Sequence, residues 1–153
     1  MDSLNLPTYS FNIKSEGQRK LIFDKIRKRF VVLTPEEWVR QNFISFLIEE
    51  KKYPASLISV EMSIEVNRLK RRCDIVIFDR KGYPVLVVEC KAPKVKITQS
   101  GFDQVAAYNI ELQVNYLIVT NGLSFYCCSI DHKLKNYAFL KNIPEFEEII
   151  NTK

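Results

Sequence analysis

The chain has 153 residues, of which 46% are hydrophobic and 27% charged; at roughly 100–200 residues per domain this predicts one globular domain and excludes a multidomain machine. Folding at this size buries roughly 70% of the unfolded chain's surface, so neither disulfides nor a structural metal is needed to hold the core. The 23 Lys and Arg residues against 18 Asp and Glu give a formal charge of +5, which favours a polyanionic partner.

The four cysteines, Cys73, Cys90, Cys127 and Cys128, make no CxxC pair, and the single histidine, His132, stands in no metal-ligand spacing with them. A zinc site is therefore not expected. No basic stretch leads into an apolar run at the N-terminus, and no apolar run approaches the ~20 residues of a bilayer span. These features describe a soluble protein of the reducing cytoplasm with no membrane partner.

Residues 1–33 read as a basic N-terminal segment in which Lys20, Lys25, Arg27, Lys28 and Arg29 cluster, either as a solvated edge or as a phosphate-contacting arm. A helix starts at Thr34, because Thr34 can cap, Pro35 suits the first helical position and Glu37 completes a capping box. Val39, Phe43, Phe46 and Leu47 recur at helical spacing, and Tyr53-Pro54 stops the helix near Lys52. From Ile58 to Val66 apolar and polar residues alternate strictly, which predicts a half-buried strand. After the basic turn Arg68 to Arg72, the segments Cys73 to Asp79 and Pro84 to Lys91 read as a β-hairpin around Arg80 to Tyr83.

A helix follows from about Thr98 to Leu112, carrying Phe102, Val105, Ala106 and Leu112 on one side. Tyr116 to Thr120 is a strand, and Asn121-Gly122 predicts a tight hairpin into Leu123 to Ser129. Pro144 opens a short last helix, Glu145 to about Ile150. A strand, a crossover helix and another strand require one parallel pair inside an otherwise antiparallel sheet. The predicted fold class is α/β, a mixed β-sheet flanked by helices, with a core over residues 34–129 and a closing strand and helix over 130–153.

If Asp79 faces Pro84, paired positions in the hairpin sum to 163 and Asp74 falls opposite Glu89, on the same face. Lys91 shares that face by the period of two. Two opposed carboxylates destabilise a sheet unless a cation lies between them, and hard oxygen ligands with open water positions suit Mg²⁺ or Mn²⁺. A lysine beside the ion can orient or deprotonate an attacking water and offset charge on a phosphoryl oxygen. The neighbouring Val85 to Val88 marks a buried strand, where such charge is costly.

Asp74 in "RRCDIVIFD", with Glu89 and Lys91 in "VLVVECKAP", resembles the PD-(D/E)XK nuclease superfamily and its restriction-endonuclease-like fold. Gln104 and Tyr108 in "DQVAAY" match the QxxxY motif of a subset of that superfamily, and "TNG" at Thr120 to Gly122 is also typical of it. With "TPEEWVRQ" before the first helix, the stretch from Thr34 to about Tyr126 is similar to the N-terminal nuclease domain of type I restriction enzyme R subunits. Cys73 stands where the superfamily has its proline.

The resemblance implies a Mg²⁺- or Mn²⁺-dependent endodeoxyribonuclease of a restriction system, with Asp74 and Glu89 on the metal. It also implies Lys91, Gln104 and Tyr108 as catalytic residues, and DNA, other restriction subunits or a second copy of the chain as partners. Gln104 and Tyr108, four apart on one helix face, can orient Lys91 or a phosphate. Glu37 is either a third metal ligand or only a helix cap. Glu61 is either a site acid or a solvated, paired side chain, while alternation turns the Cys90 thiol into the core. The alternative function is a non-cleaving DNA- or partner-binding subunit. No GxxxxGK[ST] phosphate loop is present, so ATP-driven translocation is not expected of this chain.

Overall fold

Thr34, in extended conformation, accepts a 3.0 Å hydrogen bond from the Glu37 amide at its Oγ1 and starts helix α1, Pro35–Glu49. The other half of the capping box does not form, because the Glu37 carboxylate is engaged elsewhere. Val39, Phe43 and Leu47 recur every four residues and are buried. The helix ends three residues before the predicted Lys52, which takes φ +64°. Tyr53 then plugs the core and donates its hydroxyl to the Pro144 carbonyl at 2.9 Å. The structure, a computed structural model, describes residues 1–151, so the last two residues of the predicted C-terminal segment lie outside it.

Residues 1–33 carry their basic cluster on folded structure, part of it exposed and part turned inward. They fold into an antiparallel meander, β1 (Ile13–Glu16), β2 (Arg19–Asp24) and β3 (Arg29–Val32). Within the basic cluster only Lys20, Lys28 and Arg29 stay exposed. Lys25 donates to Ser45 on α1 at 3.0 Å, and Arg27 turns inward. The segment's short apolar runs, Leu21 to Phe23 and Phe30 to Leu33, fall within strands β2 and β3 or at their ends.

The main sheet has six strands in the order β4 (Ile58–Val66), β5 (Leu69–Phe78), β6 (Pro84–Cys90), β7 (Tyr116–Thr120), β8 (Phe125–Asp131) and β9 (Asn136–Leu140). Only β6 and β7 pair in parallel, across the crossover helix α2, Gln99–Leu112. Helices α1 and α3 (Phe146–Ile150) pack on one face, against Ile75, Ile77, Leu86, Val88 and Ile118. Helix α2 packs on the other through Phe102, Ala106 and Leu112, against Val76, Val87, Leu117 and Cys128. This is the expected mixed sheet between helical layers. All four cysteines are buried and unpaired.

Strict alternation predicted a single buried face for β4, and the structure corrects it. Ile58 and Val60 belong to the α1 side, whereas Ile64 belongs to the α2 side. The change occurs at Glu61, which takes φ +52°, a left-handed conformation that turns the following residues over. In β5, Ile75 and Ile77 face α1 while Cys73, of the same parity, packs on the α2 side. Val60 pairs with Ile75 and Met62 with Cys73, so Glu61 and Asp74 lie between those pairs, at the level where both strands change face.

Between β5 and β6 the predicted sum of 163 is observed from Ile75↔Val88 to Ile77↔Leu86. It fails at the turn, where a bulge pairs Phe78, not Asp79, with Pro84. Asp79 instead closes the loop, its side chain accepting from the Lys81 and Tyr83 amides at 2.9 and 3.0 Å.

Asn121-Gly122 does not form a two-residue hairpin loop. Thr120 pairs with Phe125, and the Asn121 side chain accepts from the Leu123 and Ser124 amides, both at 2.9 Å, in an Asx-type turn. The N-terminal segment latches onto this loop, with the Asn5 amide donating to the Gly122 carbonyl at 2.8 Å. Gly122 has φ +84°, and an added Cβ would lie 2.7 Å from Leu4 Cδ2. Gly122→Ala is expected to destabilise the fold by about 1–3 kcal/mol, read as a melting temperature lower by about 2–4 °C per kcal/mol. Leu4→Ala in the same chain should recover the steric part of the loss, and unchanged melting of the single variant would contradict the latch.

Candidate active site

Asp74 occupies the point where β5 leaves β6, since the ladder between them ends at Ile75↔Val88. The Lys91 amide bonds the Thr120 carbonyl of β7 at 2.8 Å, so by alternation the Cys90 amide points the other way, toward β5. It finds the Asp74 side chain, donating to Oδ2 at 2.7 Å. The other oxygen, Oδ1, faces Arg40 of α1 at 3.4 Å. Asp74 thus lies at a pivot between the two faces of the sheet.

Glu89, on the α2 side of β6, brings its carboxyl into hydrogen-bonding contact with that of Asp74. Burial, reinforced by the Asp74 charge, pushes Glu89 up to about 7, although Arg71 and Lys91 pull the other way. Arg71, from the β4–β5 hairpin, ion-pairs with Glu89 and donates to the Asn109 side chain. Its guanidinium stacks on Tyr108, 5.2 Å from the ring centroid. Asn109 is fully buried on α2, and nothing in its local sequence had marked it.

The structure distributes the other expected residues unevenly. Lys91 is exposed and lines a shallow groove with Lys96, Thr98, Gly101 and Gln104. Among the described residues its ammonium is in no ion pair. Tyr108 reaches the site only through Arg71, because its hydroxyl is committed to the Lys70 carbonyl at 2.7 Å. The Cys90 thiol is buried on the α1 side, as alternation required.

Glu37 is corrected as a metal ligand. Its Oε1 accepts from Arg27 at 2.9 Å and Arg40 at 2.7 Å, and its Oε2 from Arg40 at 3.0 Å and Gln41 at 2.9 Å. Burial alone would raise its pKa, but these donors hold it below the usual carboxylate range. A carboxylate with every acceptor position filled has nothing left for an ion. The first-helix acid that faces the site is Glu36. It is exposed, and its pKa is raised by partial burial and by the charge of Asp74. The helical period carried this signal, since Glu36 lies three and four residues before Val39 and Arg40, over the sheet. Glu61 is paired with Arg27 at 3.2 Å, Arg40 at 3.3 Å and Arg72 at 3.1 Å.

No group of three His, Cys, Asp or Glu side chains assembles as a ready metal cage among the described residues. What converges is a pair, Asp74 and Glu89, with Glu36 facing them. Two carboxylates with the rest of the shell left to water match what Mg²⁺ accepts.

A family model described as the type I restriction enzyme R protein N terminus matches residues 35–144. The chain belongs to that family. In fold it is similar to a structure described as a fragment of an HsdR subunit of a type I restriction enzyme from Vibrio vulnificus YJ016. The TM-score is 0.54 at 18% identity, over 77% of this chain and 25% of that one. The likeness shows the restriction-endonuclease-like fold, and the chain spans a quarter of that relative's length. Comparison with curated proteins found no match. The family match begins at Pro35, and the N-terminal meander lies outside it.

Glu89 sets a pH dependence for the stability of the fold. A carboxyl whose folded pKa lies above its unfolded value is most favourable to folding below the unfolded value, and that contribution is lost as pH rises through the folded pKa. In EDTA, the stability of wild type relative to Glu89→Gln should therefore fall between about pH 4.5 and about pH 7. Denaturant melts of both proteins across that range provide the check; parallel profiles would contradict the buried carboxyl pair.

Proposed function

We propose that the chain is a Mg²⁺- or Mn²⁺-dependent endodeoxyribonuclease of a restriction system, cutting DNA phosphodiester bonds. The observation that carries this reading is the meeting of Asp74 and Glu89 beside the exposed Lys91 at the fork between β5 and β6. Asp74 and Glu89 are the residues to hold the cation. When bound, the cation supplies Lewis-acid polarisation of the phosphate and a lower pKa for a nucleophilic water.

The chain's own residues do the rest. The Cys90 amide and Arg40 fix the plane of Asp74. Arg71 must move off Glu89, or share it, for that carboxylate to serve a cation. Lys91 places an ammonium in the groove, where it can hold the attacking water and offset the charge that develops on the phosphorane. Gln104 lines the same groove, which supports a role in orienting Lys91 or a DNA phosphate. The net charge of +5 favours DNA. Other subunits of a restriction enzyme, or a second copy of the chain, are the protein partners proposed, in the cytoplasm. No helix among the described residues is long and apolar enough to cross a membrane.

One observation favours the alternative of a non-cleaving binding subunit: both carboxylates already face guanidinium groups, Asp74 with Arg40 and Glu89 with Arg71. Plasmid nicking with Mg²⁺, Mn²⁺ and EDTA side by side separates the two. The nuclease reading expects metal-dependent nicking that Asp74→Ala and Glu89→Ala abolish. Lys91→Ala should slow cleavage by about 10²–10³, while DNA affinity in Ca²⁺ keeps its salt slope within about one unit. Wild-type rates in Asp74→Ala, or a Lys91→Ala defect in binding alone, would contradict it.

Divalent metal should also stabilise the wild type and not an Asp74→Ala/Glu89→Ala double variant. At tenfold over the dissociation constant, mass action gives about 1.4 kcal/mol. Equal stabilisation of both proteins would remove the carboxylates from metal binding.

A further inference from the structure

A chain of alternating charges, buried at Asp24, Glu37 and Arg40 and half-buried at Arg27 and Asp74, runs from the N-terminal meander to the site. Asp24, with no exposed surface, accepts from the Ile26 and Arg27 amides at 2.7 and 3.0 Å and from Arg27 Nε at 2.5 Å. Arg27 spans to Glu37 at 2.9 Å. Glu37 is gripped by two nitrogens of Arg40, and the remaining Arg40 nitrogen, Nη1, faces Asp74.

We infer that Arg40, and Arg27 behind it, are positioning residues that preset the Asp74 carboxylate for its cation. The inference rests on the nuclease reading proposed above and deepens it. Asp74 is held by two donors from different elements, the Cys90 amide of β6 and the guanidinium of α1, and two such donors fix the carboxylate's rotation. Arg40 can act this way only because its own fork is locked. Nε and Nη2 lie flat on Glu37, a two-point contact that a single ammonium cannot reproduce. Glu37 keeps that geometry because Arg27 and Gln41 fill its other acceptor positions.

Packing alone does not call for this arrangement. Burying ion pairs sacrifices hydration, and apolar side chains of similar volume join layers as well or better. What the network supplies is orientation at its one end that meets the site. Asp24 and Arg27 lie before Pro35, where the family match begins. The meander is thereby part of the active-site scaffold, and its basic cluster is split between an exposed edge and this inward-facing arginine.

The test uses the full chain with Arg40→Lys and Arg27→Lys, which keep the buried charge and lose the fork. Arg80→Ala, which breaks an exposed pair with Glu147, is the control. Each protein is melted, titrated with Mn²⁺, and assayed for kcat and KM on plasmid DNA. Arg40→Lys should lower kcat by about 10- to 100-fold, the scale of a misplaced catalytic group, with weaker Mn²⁺ binding and KM for DNA unchanged. Arg27→Lys should move both in the same direction by less, and carries the test alone if Arg40→Lys does not fold. Arg80→Ala should match wild type. Lysine variants that melt lower but keep wild-type kcat and Mn²⁺ affinity would reduce the network to a structural role and overturn the inference, leaving the nuclease reading intact. A wild type that neither nicks DNA nor binds Mn²⁺ would overturn that reading and this one together.

Discussion

The Cys90 amide points across to β5 and is met by the Asp74 carboxylate at the place where a sheet ladder would continue. Most of the site's geometry depends on that substitution. Because a side chain takes the amide, the β5 backbone is free to leave β6, and the β4–β5 ribbon turns over at Asp74 and Glu61. Asp74, which regular alternation would have kept on the face of Glu89 alone, then also meets the α1 side. Asp74 reaches toward Arg40 on the α1 side and toward Glu89 on the α2 side, and Lys91 opens into the groove just past the end of β6.

The cost of holding acids together in such a place is met from both layers of helices. Arg40 answers Asp74 from α1, while Arg71, steadied by Asn109 and the Tyr108 ring of α2, answers Glu89. Removing one partner of a buried pair typically costs about 3–5 kcal/mol, because the other charge is left uncompensated. The two arginines differ in how they are held. Arg40 is locked by Glu37 within its own helix, whereas Arg71 reaches Glu89 from the β4–β5 hairpin and is held by the Asn109 and Tyr108 side chains of α2.

Much of this was legible in the sequence because it is written in periods. The hairpin sum of 163, the placement of the Cys90 thiol in the core and the parallel crossover all follow from alternation and connection length. What was not legible breaks a period. Glu61 is a non-glycine residue at positive φ, and no local signal told that the regular pattern of β4 would be divided between two cores. Glu37 was expected to be either a third metal ligand or only a helix cap, and neither reading could show that Arg27, Arg40 and Gln41 fill its acceptor positions. Arg27 was invisible as a site-supporting residue, since its partners are separated from it by 10 and 34 positions, and a basic cluster gives no hint of which member turns inward.

Diffraction from crystals soaked in Mn²⁺, read at the manganese absorption edge, tests the central claim most directly, because it asks where the cation goes without requiring turnover. The account predicts an anomalous peak within coordination distance of both Asp74 and Glu89, with Arg71 displaced from Glu89 and Glu37 still enclosed by Arg27, Arg40 and Gln41. A peak on Glu37, or none between the two carboxylates with the Arg71–Glu89 pair intact, would contradict it.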